Sequence, residues 1–176
     1  SLQTDGNAIA QLASAYYSED SLSSQAFFVN LSVINQTSGA DAVICDSRGI
    51  HVDPYMLRLI RKIKGDDKII LISDRTCYNG PIPPGYEGVT DLNFDDVGEI
   101  AGSKLSLDVA CRNFMKHTGA SIVDVFRYAS LNPARAVGFT DRGEIRKGLR
   151  ADLIFVDHWM HVNKVFLKGE MKYESD

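Results

Sequence analysis

The chain has 176 residues, 44% hydrophobic and 24% charged, and 19 Lys plus Arg against 23 Asp plus Glu give a net charge of −4. That balance argues against a disordered chain. It also supplies no basic excess to draw the protein onto nucleic acid or an anionic membrane. The length suits one ordinary domain, or one domain with a small appendage. Cys45, Cys77 and Cys111 are widely spaced and form no CxxC pair, which argues against a disulfide framework or zinc knuckle and points to a reducing cytoplasm. The apolar runs, such as Ile69 to Ile72, are too short to span a bilayer. The N-terminus lacks the basic region and apolar core of a signal peptide, and its opening Ser-Leu is compatible with a cloning scar.

Residues 1–40 are the least informative. Ala8, Ile9, Leu12, Ala13 and Tyr16 recur at helical spacing and predict one amphipathic helix. A polar stretch follows, then an apolar run from Ala26 to Val33 whose periodicity suits strand or helix equally. Residues 37–41 read as a loop. From there the punctuation becomes regular. Ala42 to Cys45 has the texture of a strand buried on both faces. It ends in the polar turn Asp46-Ser47-Arg48-Gly49. Asp53 can cap the next helix and Pro54 suits its first position. Met56, Leu57, Leu59, Ile60 and Ile63 give that helix an apolar face, and Gly65 can close it in a left-handed conformation. The Arg58, Arg61, Lys62 and Lys64 cluster reads as its solvated face.

A second buried strand, Lys68 to Ser73, ends at Asp74. Strand, helix and strand make a βαβ unit, for which right-handed parallel pairing is strongly favoured. Residues 75–98, with Pro81, Pro83, Pro84, Gly80, Gly85 and Gly88, predict a long loop, a feature usually functional or mobile. A helix is expected from Ser106 to His117, closed by Gly119. Ser121 and Asp124 resemble a capping box opening a helix over Ile122 to Ala129, and Asn132-Pro133 opens a short third one. Beyond Gly138, Leu153 to Val156 and Val162 to Leu167 read as edge strands of a small β unit.

His51 and Asp74 stand out as candidates for chemistry. Each lies at or just after the C-terminal end of an expected parallel strand, the edge where α/β folds bind ligands. A carboxylate there can act as a general base or metal ligand, and a neighbouring imidazole can hold a substrate oxygen. The same spacing also suits a loop-turning aspartate and a satisfied polar histidine. Gly98-Glu99-Ile100-Ala101-Gly102-Ser103 offers glycines ahead of a helix start, where backbone N–H groups can approach an anion; a plain loop fits the composition as well. His117 reads as a cation at a helix C-terminus, and His158 and His161 as solvated residues of a hairpin tip. Cys45 and Cys111 read as core residues, and Cys77 as exposed.

The stretches GIHVDPYMLRLIRKIKG, IILISD, GEIAGSKLSLDVACRNFM, YASLNPARAVGFTDRGEIRKGLRADLIFVD and VNKVFLKGE, running from about residue 41 to 170, resemble the C-terminal half of the N-acetylglucosamine-6-phosphate deacetylase family in the amidohydrolase superfamily. The resemblance implies an α/β fold: a partial (β/α)₈ barrel over 41–138 and part of the composite β-sandwich domain over 139–176. Residues 1–40 match no family motif. It further implies amino-sugar metabolism and a divalent metal, zinc or iron, that activates the water attacking the N-acetyl carbonyl. Asp74 matches the catalytic aspartate. His51 matches the substrate-holding histidine, with Gly49 and Ile50 beside it in the substrate-binding set. Ile100, Ala101 and Gly102 match a loop touching the sugar phosphate.

The sequence also departs from the family. Its metal is held by a Glu and two His from earlier strands, and this chain has no His before His51. Ser47-Arg48-Gly49 intervenes where Asp-Gly precedes Ile-His. Arg75 to Tyr78 is bulkier than the family's small residues. A whole barrel takes roughly 250 residues, so a fragment or truncated homologue with little turnover of its own is expected, acting on N-acetylglucosamine 6-phosphate in its parent form. A non-catalytic binding descendant, or an amidohydrolase of another amide, are the rivals. Exposed strand edges predict self-association into a homo-oligomer.

Overall fold

Residues 39–175 are described by a computed structural model of the chain. The helix expected over 8–16 and the apolar segment over 26–33 lie outside the described residues. Strand β1 (Asp41–Ile44) and strand β2 (Ile69–Ile72) pair in parallel, from Asp41 opposite Ile69 to Ile44 opposite Ile72. Helix α1 (Pro54–Lys64) connects them. The Asp53 carboxylate accepts the Tyr55 N–H at 2.7 Å, and Pro54 occupies the first turn, where no N–H is needed. Gly65 ends the helix at φ 75° and ψ 166°. That is an extended conformation open to glycine alone, rather than the left-handed cap expected.

The expected loop over 75–98 contains a strand. Strands β3 (Leu92–Phe94) and β4 (Ile100–Ser103) form an antiparallel hairpin with a register shift between Leu92 and Phe94. Asp95 makes its turn, accepting the N–H groups of Val97 and Glu99 on Oδ1. Residues 100–103, expected as a glycine-rich approach to a helix, are therefore extended and paired. A strand of three residues is too short to show an alternating pattern.

Helix α2 (Leu107–Thr118) ends at Gly119, whose φ of 71° and ψ of 17° are left-handed and whose N–H reaches Met115 O. The reciprocal capping box of Ser121 and Asp124 opens helix α3 (Ile122–Phe126). The expected break before Pro133 does not occur. Arg127–Leu131 forms a widened turn leading straight into helix α4 (Asn132–Ala136). There the Asn132 N–H donates to Arg127 O. Shifting the bonding by a residue lets Pro133, which has no N–H, follow without a break.

Strands β5 (Leu153–Val156), β6 (Val162–Leu167) and β7 (Glu170–Glu174) form an antiparallel sheet in that order. β6 is therefore central, not an edge, and β7 was not foreseen because its exposed EMKYE sequence is mostly polar. The β5–β6 turn carries His158 and His161 on the outside, as expected. His161 Nδ1 stands 2.9 Å from Asp157 Oδ2, and His158 stacks on Trp159.

One core unites the parallel pair, the helices and the β5–β6 turn, and the hairpin packs a smaller cluster of its own from Val89, Leu92 and Phe94. Val43, Cys45, Ile69 and Leu71 from the parallel pair meet Leu57, Cys111, Phe114, Val125, Tyr128 and Met160. Phe114 and Tyr128 pack edge to face at 5.4 Å. Burial pushes the Cys45 and Cys111 thiols up to about 12, while Cys77 is exposed. The basic face of α1 is exposed at Arg58, Lys62 and Lys64, as expected, and is also partly paired. Arg61 bonds Asp66, Asp124 and the Tyr128 hydroxyl, Lys64 pairs with Asp41, and Arg58 donates to His117 O. Among the described residues no helix is long and apolar enough to cross a membrane.

Replacing Phe114, 1% exposed, by Ala is expected to cost about 3–5 kcal/mol, measured as a lowered urea midpoint with an unchanged slope.

Candidate functional site

The parallel register sets the site. Two residues beyond the paired Ile44 and Ile72 stand Asp46 and Asp74, at the same edge of the two-stranded sheet. Their surroundings drive them apart chemically.

Asp46 is fully buried. Its Oδ1 accepts the Arg48 and Ile50 N–H groups at 3.0 and 2.9 Å, and Oδ2 accepts the His51 N–H at 2.8 Å. The His51 Nδ1 lies 3.6 Å from Oδ2, close enough for electrostatic attraction but beyond a hydrogen bond. Burial alone would raise this carboxyl. The His51 imidazole and the three backbone N–H groups outweigh it and hold the carboxyl well below the usual carboxylate range. Asp46 thus stays ionised and folds the 46–51 turn around itself. Gly49 permits that turn: its φ is 72°, and a Cβ would come within 2.4 Å of Pro54 Cδ. Across the turn, His117 Nε2 lies 3.2 Å from Asp46 O.

Asp74 is partly buried, with φ at 50°, a conformation that aspartate tolerates better than most residues. Burial raises its carboxyl above the ordinary value, and the nearby charge of His51 opposes the rise. His51 and Asp74 therefore share one electrostatic environment. The hairpin closes against them. Ser103 N–H donates to Asp74 O at 2.8 Å, and Thr76 N–H to Ser103 O at 3.0 Å. A Cβ on Gly102 would stand 2.8 Å from Asp74 O and 2.5 Å from the Thr76 methyl.

Of the residues singled out in the sequence, His51 is near enough for its charge to act on the Asp74 carboxyl, Gly49 and Ile50 shape the turn that delivers His51, and Ala101 and Gly102 lie along residues 73–76, the arm bearing Asp74. Ile100 sits at the far end of β4, opposite Phe94. These three residues are not at a helix N-terminus, because β4 ends at Ser103 and Lys104 and Leu105 intervene before Ser106 at the N-cap position of α2. Sequence reasoning passed over Asp46 as a turn residue. The signal was available: it follows its strand as closely as Asp74 follows the next. Asn93, buried among hairpin residues, carried no comparable signal.

The chemistry open to this pair is proton transfer: a carboxyl with raised proton affinity beside an imidazole. No group of three His, Cys, Asp or Glu side chains among the described residues is placed to hold a metal ion. The residues described therefore do not fit a resident metal.

The family model described as "Amidohydrolase family" matches residues 36–172. The N-acetylgalactosamine-6-phosphate deacetylase of Escherichia coli O157:H7 is 36% identical over 75 residues, 42% of this chain and 20% of that protein. The N-acetylglucosamine-6-phosphate deacetylase of Lysinibacillus sphaericus is 26% identical over 134 residues, 72% of this chain and 35% of that protein. The crystal structure of N-acetylglucosamine-6-phosphate deacetylase from Thermotoga maritima superimposes with a TM-score of 0.66 at 28% identity, covering 77% of this chain and 39% of that one. The chain spans less than half the length of these relatives.

Two measurements follow from the opposed carboxyls. Asp46→Ala strands three backbone N–H groups and is expected to cost about 3 kcal/mol at pH 7. Because the folded pKa is depressed, the Asp46 contribution is complete above the ordinary aspartate value and is lost as pH falls below it; urea titrations should show the penalty shrinking in acid. Asp74 has the opposite sign. Its raised pKa makes the ionised form a cost to folding at neutral pH, relieved as pH falls through that pKa. Asp74→Asn is expected to melt above the wild type at pH 7, and the gap should close in acid.

Proposed function

The chain belongs to the amidohydrolase family, which matches it over residues 36–172, and from that premise we propose that it carries part of the active site of a deacetylase acting on an N-acetyl amino-sugar 6-phosphate. The observation supporting this most directly is that His51 and Asp74 converge at the C-terminal ends of adjacent parallel strands, with the imidazole's charge acting on a partly buried carboxyl of raised proton affinity. In this reading residues 41–138 are the last part of a (β/α)₈ barrel and residues 139–176 a piece of the accompanying β domain. The relatives' names supply the substrate class, an amide of acetate on a phosphorylated amino sugar.

The proposed division of labour follows from the environments. His51 donates a hydrogen bond to the acetyl carbonyl oxygen and steadies the charge that develops there. Asp74 accepts a proton from the attacking water and returns one to the sugar nitrogen as the C–N bond breaks, releasing acetate and the free amine. The 46–51 turn, through Gly49 and Ile50, and the β4 backbone at Ile100, Ala101 and Gly102 line the approach for the sugar and its phosphate. Amidohydrolases generally use a divalent metal. With no fitting metal cluster among the described residues, we infer that this chain turns over little substrate by itself. The exposed Ile154, Phe155, Leu167, Met171 and Tyr173 of the three-stranded sheet support self-association, the three unpaired cysteines suit a reducing cytoplasm, and the net charge of −4 offers no basic attraction for nucleic acid or an anionic membrane.

Titration with N-acetylglucosamine 6-phosphate is expected to move the NMR signals of His51, Asp74 and Ala101 together, with no acetate released even when zinc or iron(II) is added. Unperturbed signals, with either this sugar or its galacto isomer, would sink the substrate assignment, and rapid acetate release would sink the inferred lack of turnover. Transplanting residues 41–138 into the Thermotoga maritima relative supplies a catalytic background. In an active chimera, Asp74→Asn is expected to lower kcat about 10²–10⁴-fold.

A further inference from the structure

The Asp74 arm is held by a side chain that no expectation had singled out. Asn93 lies in β3 and is 1% exposed. Its Nδ2 donates to Thr76 O at 2.8 Å, Thr76 Oγ1 at 2.9 Å and Ser103 O at 2.8 Å. Thr76 Oγ1 in turn donates to Ala101 O at 2.6 Å. Ser103 completes the clasp, its hydroxyl donating to Ser73 O and its N–H to Asp74 O. One buried amide thus ties both strands of the hairpin to residues 73–76. At the foot of the same hairpin, Asp91 Oδ2 accepts the Ser47 N–H at 2.6 Å, and Ile50 packs against Val89, Leu92 and Phe94. The hairpin therefore grips the turn bearing His51 and the arm bearing Asp74 at once.

The geometry points to Asn93 as the positioning residue of Asp74, setting the carboxyl's placement through Thr76 and Ser103. Three features carry this assignment. Asp74 holds a positive φ, which persists only where surrounding contacts over-determine it. The arm's restraints pass through Ser103 and Thr76, and Asn93 is bonded to both. Without the Asn93 donors the Thr76 carbonyl would lose its side-chain partner and Ser103 O would keep only the Thr76 N–H, at a cost that favours release of the arm. The role of Asn93 is separate from the chemistry, since it touches neither His51 nor the Asp74 side chain in the network described. The inference rests on the reading of Asp74 as the working acid.

The test is carbon NMR of the full chain with labelled aspartate, following the Asp74 carboxyl through pH. Asn93→Leu keeps the volume and removes the donors. Thr76→Val removes one link of the clasp and keeps the shape. Val89→Ala trims the hairpin core and leaves every polar link in place. With the clasp cut, the carboxyl swings toward water and the cost of burying its charge falls. Asn93→Leu is expected to bring the Asp74 midpoint down toward that of an ordinary aspartate, and Thr76→Val to do so by a smaller amount. Val89→Ala should lower Tm and leave the midpoint where it is in the wild type. Unchanged midpoints in both clasp variants, alongside lowered Tm, would overturn the assignment and leave Asn93 a stability residue; should Asn93→Leu fail to fold, Thr76→Val decides alone. The readout uses no substrate. Its failure would remove the clasp and leave the deacetylase reading intact, whereas silence toward the sugar phosphate would do the reverse.

Discussion

The arrangement of the site depends on one buried ion. Asp46 could not be kept charged in the protein interior without compensation, since an unpaired buried carboxylate is strongly disfavoured. The chain compensates by turning back and presenting three N–H groups from residues 48, 50 and 51. That turn is the path by which His51 reaches the strand edge. A polypeptide that failed to wrap Asp46 would neither bury Cys45 behind it nor place the imidazole near Asp74.

Two aspartates at matching positions of adjacent parallel strands therefore have opposite roles. Asp46 is saturated with donors and acts as a fixed negative charge that orders backbone. Asp74 feels burial and the opposing charge of a single imidazole. Sorting acids by environment rather than by type is how protein sites divide structural from reactive carboxyls. His51 stands between them, its backbone N–H spent on Asp46 and its ring charge felt at Asp74.

The remaining elements serve this edge or anchor it. The β3–β4 hairpin covers one side and braces both acid-bearing segments. Helices α1 and α2 back the parallel pair with the apolar core, and the widened turn at 127–131 aims Tyr128 and Asn132 at the start of β2, where Asn132 Nδ2 donates to Asp66 O and Ile69 O. The β5–β7 sheet is fastened by Met160, which is 2% exposed in the main core and whose carbonyl accepts from Arg112.

Local patterns determined much of this in advance. The buried runs at 42–45 and 69–72, the Asp53-Pro54 helix start, the Gly119 stop and the Ser121–Asp124 capping box act within a few residues of themselves, so each was legible from the sequence. The strand-edge rule likewise brought out His51 and Asp74, and the quoted motifs pointed to the deacetylase family. Tertiary structure alone decided the rest. The hairpin within 75–103, the third strand β7, the unbroken helix through Pro133 and the buried states of Asp46 and Asn93 rest on backbone pairing and burial that no residue pattern in the sequence announces. Burial and hydrogen-bond partners belong to the folded arrangement: burial acts on both acids, and it was the donors gathered around Asp46 that separated the acid that orders the turn from the acid able to move a proton.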